Sequence, residues 1–281
     1  MNDWFFENQF DMKGFGIQLK IKERLFKKKS AFQEIEIMES YDYGKVFVLD
    51  NMFMVTERDE FYYHEILSHP SLFVHQKPEN VLIIGGGDCG TLREVLKHPD
   101  VKNAHLCELD GDVIEACKKY FPFTTKAISD PRSRVFVEDG FKFLQNNKST
   151  YDVILIDSTD PIGEAVKLFE ADFFDLCFNA LNDKGILAGQ AGCFMYDVKV
   201  PVDVYHILKK KFPVARMYTG LTPTYPSGFW SFYFASKKYD LLKDFEENKV
   251  KNSKIELQYY NEDIHKASLA LPNFFKKAIK K

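Results

Sequence analysis

The most constraining stretch of the chain is Val81-Leu82-Ile83-Ile84-Gly85-Gly86-Gly87-Asp88-Cys89-Gly90. Four apolar residues, two of them Ile and one Val, read as a strand buried on both faces of a parallel sheet. Three glycines end it in a turn with no Cβ atoms to keep a ligand away. Thr91 to Lys97 then carries helix-forming residues. Strand, glycine turn and helix open a nucleotide-binding α/β unit. Asp88 sits in the turn itself, where it would repel a phosphate. The turn therefore points to a nucleoside that carries positive charge.

The rest of the chain divides around this unit. Residues 1–58 lack a long helical pattern, and alternating stretches at 16–22, 32–38, 45–51 and 52–55 predict a small antiparallel β domain of five or six strands. Lys27-Lys28-Lys29 reads as a solvated loop before a strand. Thr56, with Asp59 three residues on, resembles a capping box for a helix over 59–67, and Pro70 and Pro78 punctuate its end. Residues 59–281 form the second domain. Strands at 81–84, 103–109, 133–137, 153–156, 185–190, 215–218 and 230–235 alternate with helices at 91–97, 112–120, 141–146, 171–180 and 202–211. That rhythm predicts a mostly parallel sheet covered on both faces. The tail from Tyr239 is charged and partly helical, anchored by an apolar stretch at 269–274.

Bulk properties exclude some partners. The 38 basic and 41 acidic residues leave a formal charge of -3, which gives no reason to expect nucleic acid or an anionic membrane. The five cysteines make no CxxC and fit no zinc spacing, so they read as free thiols of a reducing cytoplasm, Cys107 and Cys177 as packing residues. The N-terminal residues have no signal-peptide pattern, and no run reaches the roughly 20 apolar residues of a membrane span.

Acids mark the strand ends. Asp88 follows the first strand of the second domain, Glu108 and Asp110 close the next, Asp139 follows the third, and Asp157 and Asp160 follow the fourth. In an open parallel sheet, ligands bind beyond these carboxyl ends. Any one acid there is an ordinary turn or cap residue; four strand ends in succession are less easily explained so. Glu108, about 20 residues beyond the glycine turn, suits a ribose diol. Asp139-Gly140 suits an adenine amino group. Asp88, Asp157 and Asp160 remain for a polycationic ligand. Such acids could hold Mg²⁺, but no His or Cys set at ligand spacing supports a transition metal, and no metal is assigned.

At these residues the chain resembles the polyamine aminopropyltransferases. The matching stretches include Thr56 to Phe61, Tyr63-His64-Glu65, Gly85-Gly86-Gly87-Asp88, Cys107 to Asp110, Asp157-Ser158-Thr159-Asp160-Pro161, Thr224 to Gly228 and Tyr259 to His265, in order over nearly the whole chain. The resemblance implies a Rossmann-like, methyltransferase-type domain after the N-terminal β domain. It implies aminopropyl transfer from decarboxylated S-adenosylmethionine, a co-substrate, to putrescine, with no cofactor or metal and with a homodimer or homotetramer. It places Gln33, Asp88, Glu108, Asp139 and Gly140 at the nucleoside, Asp157 as general base, and Tyr63, His64, Asp160, Gln190 and Tyr225 along the amine channel.

Three departures from the family pattern stand out. Cys89 replaces a usual glycine, tolerable if its backbone angle is ordinary. Glu164 replaces a common proline near the nucleoside. Gly192 replaces an acid that in many members holds the acceptor's far ammonium, which opens the acceptor to cadaverine, agmatine or a longer polyamine. Rival readings of the same signals are a methyltransferase that uses S-adenosylmethionine itself and a non-catalytic polyamine- or nucleoside-binding protein.

Overall fold

The structure is a computed structural model that describes residues 3–7 and 14–280. Five strands build the first sheet: β1 (Asp3–Glu7), β2 (Ile17–Lys29), β3 (Glu34–Ser40), β4 (Lys45–Leu49) and β5 (Met52–Thr56). They pair in sequence order, each antiparallel to the last. The lysine run is not a loop. Lys27, Lys28 and Lys29 end β2 and pair with Glu36, Ile35 and Glu34. Charge pairing accompanies the extension: Lys27 Nζ lies 2.7 Å from Glu34 across the strands, and Lys28 Nζ 2.8 Å from Asp112 of the second domain.

Helix α1 (Glu60–Val74) follows. The expected capping box does not form. The helix starts at Glu60, the Asp59 side chain caps nothing, and Thr56 Oγ1 donates to Asp59 instead. Nor does Pro70 end the helix, which runs one turn beyond it. Proline removes the amide that would bond the Ile66 carbonyl. Here the Tyr218 hydroxyl donates to that carbonyl at 3.2 Å, so the orphaned acceptor is satisfied from another element.

The second sheet takes β6 (Asn80–Gly85), β7 (Asn103–Glu108), β8 (Ser133–Val137), β9 (Tyr151–Asp157), β10 (Leu181–Gln190), β11 (Val214–Leu221) and β12 (Phe229–Ser236). Between them run α2 (Gly90–Leu96), α3 (Gly111–Tyr120), the single turn α4 (Pro122–Thr125), α5 (Gly140–Gln145), α6 (Ala171–Ala180) and α7 (Lys199–Lys211). The spatial order is β11-β12-β10-β9-β6-β7-β8. The five strands from β10 to β8 are parallel, and β12 and β11 are antiparallel additions. This is the expected α/β, Rossmann-like arrangement beside a small antiparallel sheet.

Strand β6 shows why its apolar run is continuous. Val81 and Ile83 pack with α1 and α2 residues on one face; Leu82 and Ile84 pack with α5 and α6 residues on the other. From β6 the chain winds outward to β7 and β8, whereas β9 lies on its other side and leads to β10. Strands β6 and β9 therefore flank the switch point of the winding, where a crevice opens beyond the strand ends. The register there places Gly85 beside Asp157.

Candidate active site

The crevice is a cavity of about 260 Å³. Nine of the eleven residues assigned from the sequence line it: Gln33, Tyr63, His64, Asp88, Glu108, Asp139, Gly140, Asp157 and Tyr225. The other two, Asp160 and Gln190, line an adjoining cavity of about 30 Å³ that shares Tyr63, Ser158, Thr159 and Tyr225 with the first.

The glycine turn is shaped first by its neighbours in the protein. Gly85 has φ +80°, and a Cβ there would lie 2.2 Å from the Asp157 carbonyl oxygen. Gly86 has φ +68°, and its Cβ would lie 2.7 Å from Asp157 Oδ2. These glycines let β6 and β9 end side by side with the Asp157 carboxylate between them. Cys89 contradicts the condition set for it. Its φ is +65°, in the left-handed region that disfavours side chains, and it is wholly buried. The thiol packs into the core and sits 3.6 Å from the Gly87 carbonyl oxygen.

At one end of the cavity, Glu108 accepts from the Gly87 N–H at 3.1 Å and the Asp110 N–H at 2.9 Å. Burial is the main cause that pushes its pKa up to about 7. Gln33 donates to Asp110 Oδ2 at 3.0 Å, as does Ser30 Oγ at 2.6 Å, which ties the β2–β3 turn to the end of β7. Asp110 also caps α3, and Asp139 caps α5 through the Phe141 N–H at 2.7 Å. The ordinary capping role and a place in or beside the cavity thus coincide in these two acids.

At the other end stand Asp88 and Asp157. Asp157 accepts from Thr91 Oγ1 at 2.7 Å and from the Tyr63 hydroxyl. Burial first, then the Asp88 charge, raises its pKa above the ordinary carboxylate range. The Tyr63 hydroxyl, itself buried beside that carboxylate, is raised well above its usual pKa and stays a donor. Asp88 accepts from the Gly90 N–H at 2.7 Å and faces His64 Nε2 at 3.2 Å. Burial works against its ionisation, but His64, the Gly90 N–H and Arg93 outweigh burial and lower its pKa.

His64 is held from both sides. Its Nδ1 lies 2.6 Å from Glu60 Oε2, one turn back on α1. Glu60 in turn receives both terminal nitrogens of Arg93, at 2.7 and 2.8 Å. Burial favours the neutral ring, yet the two carboxylates outweigh it and raise the His64 pKa well above 6.5. His64 lies between Glu60 and Asp88, two carboxylates that favour its protonated form. Glu60, Arg93 and Thr91 were not assigned from the sequence. The four-residue spacing of Glu60 and His64 on one helix was the available signal for the first.

His64, Asp88 and Asp157 bring ligand atoms within 4.8 Å of one another, a cluster their separation in sequence concealed. With both ring nitrogens directed at carboxylates, His64 offers a metal no lone pair. The trio is better suited to organic cations.

Gln190 and Tyr225 spend their polar atoms on scaffolding. Gln190 Nε2 donates to the carbonyls of Ser158 and Thr159, at 3.2 and 3.1 Å, and to Asp160 Oδ1 at 3.3 Å. Its Oε1 accepts from Trp230 at 3.0 Å. The side chain thereby fixes the loop that presents Asp160. The Tyr225 hydroxyl donates to the Met54 carbonyl at 2.7 Å, so it is the ring, 5.6 Å from that of Tyr63, that walls the cavity. Beyond the loop, the 3₁₀ segment Gly163–Phe169 flanks the cavity mouth. The Glu164 side chain lies outside the described residues.

Two family models match this chain. The spermine/spermidine synthase domain covers residues 60–247, and the spermidine synthase tetramerisation domain covers residues 3–57. The chain belongs to the spermine/spermidine synthase family, the polyamine aminopropyltransferases. It is 46% identical to the polyamine aminopropyltransferase of Thermotoga petrophila over 98% of this chain and 93% of that protein. It is 45% identical to the same enzyme of Methanocaldococcus jannaschii over 99% of this chain and 95% of that one. Among solved structures, a spermidine synthase in complex with the transition-state analogue AdoDATO superposes with a TM-score of 0.96 at 45% identity, covering 99% of this chain and 95% of that one. The spermidine synthase of Thermotoga maritima superposes at 0.93 and 44% identity, covering 99% and 94%.

Proposed function

We propose that this enzyme transfers the aminopropyl group of decarboxylated S-adenosylmethionine to putrescine, giving spermidine and 5′-methylthioadenosine. One observation carries the reading. A single crevice holds a carboxylate suited to a diol at one end, Glu108, and two carboxylates suited to cations at the other, Asp88 and Asp157.

In this reading Glu108 takes the two ribose hydroxyls, whose bonds replace the water it has lost. Asp139, Gly140 and Gln33 line the adenine end. Asp88 takes the ammonium of the aminopropyl arm, and the carboxylate of ordinary S-adenosylmethionine would meet it with like charge. His64 keeps Asp88 ionised and aimed. The acceptor lies along Tyr63 and Tyr225 towards Asp160 and Gln190. Its reacting nitrogen, an alkylammonium of pKa roughly 10 when free, passes a proton to Asp157. The neutral nitrogen attacks the carbon attached to sulfur. A C–N bond forms, the C–S bond breaks, and its electron pair neutralises the sulfonium. The raised pKa of Asp157 makes it a stronger base than a solvated aspartate, and the closed crevice aligns nitrogen, carbon and sulfur.

The first sheet supports a homo-oligomer, a dimer or tetramer. Its edge strand β1 leaves Trp4 and Phe6 49% and 51% exposed, and the family model matched there is described as a tetramerisation domain.

The test is product analysis with decarboxylated S-adenosylmethionine and competing putrescine, cadaverine, agmatine and spermidine. Methylthioadenosine in step with spermidine is the expected result. Methyl transfer from S-adenosylmethionine alone, or amine binding without methylthioadenosine release, overturns the reading.

A further inference from the structure

A chain of charged groups runs away from the crevice behind His64. The ring lies 3.2 Å from Asp88 Oδ1 through Nε2 and 2.6 Å from Glu60 Oε2 through Nδ1. Arg93 donates through its two terminal nitrogens to the two oxygens of Glu60, and through Nε to Glu94 Oε1 at 2.7 Å. Glu94 Oε2 receives Lys97 Nζ at 2.6 Å and faces His69 Nε2 at 3.0 Å. Glu60, His64, His69 and Glu94 are all buried. Ion pairs so placed contribute little net stability, because desolvating each charge offsets most of the attraction. Holding α2 on α1 is thus a weak account of the chain.

The contacts of Asp88 give a stronger one. Its Oδ1 takes both the Gly90 N–H and His64 Nε2. Among the described residues no hydrogen bond reaches Oδ2. The ring is seated from two directions. Glu60 holds it at the shorter of its two distances, and a Cβ on Gly90 would lie 2.2 Å from His64 Cε1, so the backbone of α2 closes off one face. Asp157, in the same cluster, accepts from Thr91 and Tyr63 instead. Without Glu60, a protonated His64 would have Asp88 as its near partner, and its charge would compete with any cation that arrives there.

We infer that Glu60, clamped by Arg93, is a positioning residue for the charged arm of the donor: it keeps the His64 ring on Asp88 Oδ1 and leaves Oδ2 to the ligand's ammonium. The inference rests on the proposed function for the identity of that cation. Neither Glu60 nor Arg93 lines the main crevice, so both act through His64. With the ring protonated, Glu60, His64 and Asp88 together carry one negative charge. Removing the Glu60 charge leaves none to attract the ammonium.

The experiment is calorimetric titration of wild type and Glu60→Gln with two ligands, decarboxylated S-adenosylmethionine and methylthioadenosine. They share the nucleoside, but methylthioadenosine has neither the ammonium nor the sulfonium charge. Glutamine is nearly isosteric and keeps an acceptor for Arg93. The Kd of the charged donor should rise about 10- to 100-fold, the size of a lost charge-assisted hydrogen bond, while that of methylthioadenosine stays unchanged. An unchanged Kd for the donor overturns the inference. So does an equal rise for both ligands, which would mark Glu60 as a structural ion-pair partner. Should Glu60→Gln not fold, Arg93→Lys keeps the charge but loses the two-pronged contact with Glu60. The same donor-only loss is expected there, and its absence overturns the inference. Wild type tests the proposed function separately, by binding the decarboxylated donor more tightly than S-adenosylmethionine. Without that preference both fall; with it, and with no donor-only loss in the variant, the inference falls alone.

Discussion

Replacing Asp157 by asparagine separates chemistry from architecture. Asparagine is nearly isosteric and keeps an acceptor for Thr91 Oγ1, now 2.7 Å from Asp157 Oδ2. The backbone bond from the Gly86 N–H to the Asp157 carbonyl, 2.8 Å, is untouched. What disappears is the proposed base. A positioned general base contributes about 10²- to 10⁴-fold, or about 3–5 kcal/mol of barrier, so kcat should fall by that factor. Methylthioadenosine binding, read by calorimetry, should change little, because Glu108 and Asp139 lie towards the other end of the crevice. Stability gives an independent sign. The folded-state pKa of Asp157 is raised, mainly by burial, so its stabilising effect is complete below the unfolded value and is lost as pH rises through the folded one. At neutral pH the ionised side chain costs stability, and Asp157→Asn should melt no lower than wild type. The same shift places the acid limb of the wild-type kcat profile above the aspartate reference of about 3.9. Activity falls as pH drops through that limb, and the variant should lack it. A kcat within about tenfold of wild type refutes the base assignment. A markedly lower melting temperature would mean that the carboxylate supports the fold instead.

Two further outcomes follow from the turn and the mouth of the crevice. Cys89→Ala keeps the left-handed backbone strain and loses the sulfur, whereas Cys89→Gly loses the strain; glycine should be the more stable replacement by about 1 kcal/mol in urea unfolding, and an alanine variant as stable as the glycine one rejects the strain argument. The segment around Gly163–Phe169, with Ile162 and Val166 exposed, should act as a lid, so methylthioadenosine should slow proteolysis there; cleavage at the same rate with and without it excludes that role.

The sequence made legible what local pattern and covalent order determine. Strand β6 was readable because both its faces are covered, and the acids at successive strand ends because parallel strands bring their carboxyl ends to one edge. What stayed hidden depends on partners far along the chain. Nothing near Lys27 and Lys28 says that Glu34 and Asp112 will pair with them. The left-handed angle of Cys89 is set by how β6 must turn beside β9. Arg93 gains its meaning only when α2 packs on α1 and brings it to Glu60 and His64.

Proline in α1 has a consequence for the order of assembly. The carbonyl freed by Pro70 is satisfied by Tyr218, which lies 152 residues after Ile66. The turns of α1 form from local bonds, but the carbonyl freed at Pro70 finds its protein partner only where β11 docks against it. As the polypeptide emerges from its N-terminus, that carbonyl gains its tyrosine partner only after the chain through β11 has been made. That bond is a long-range contact, set by the topology of the sheet rather than by helical propensity.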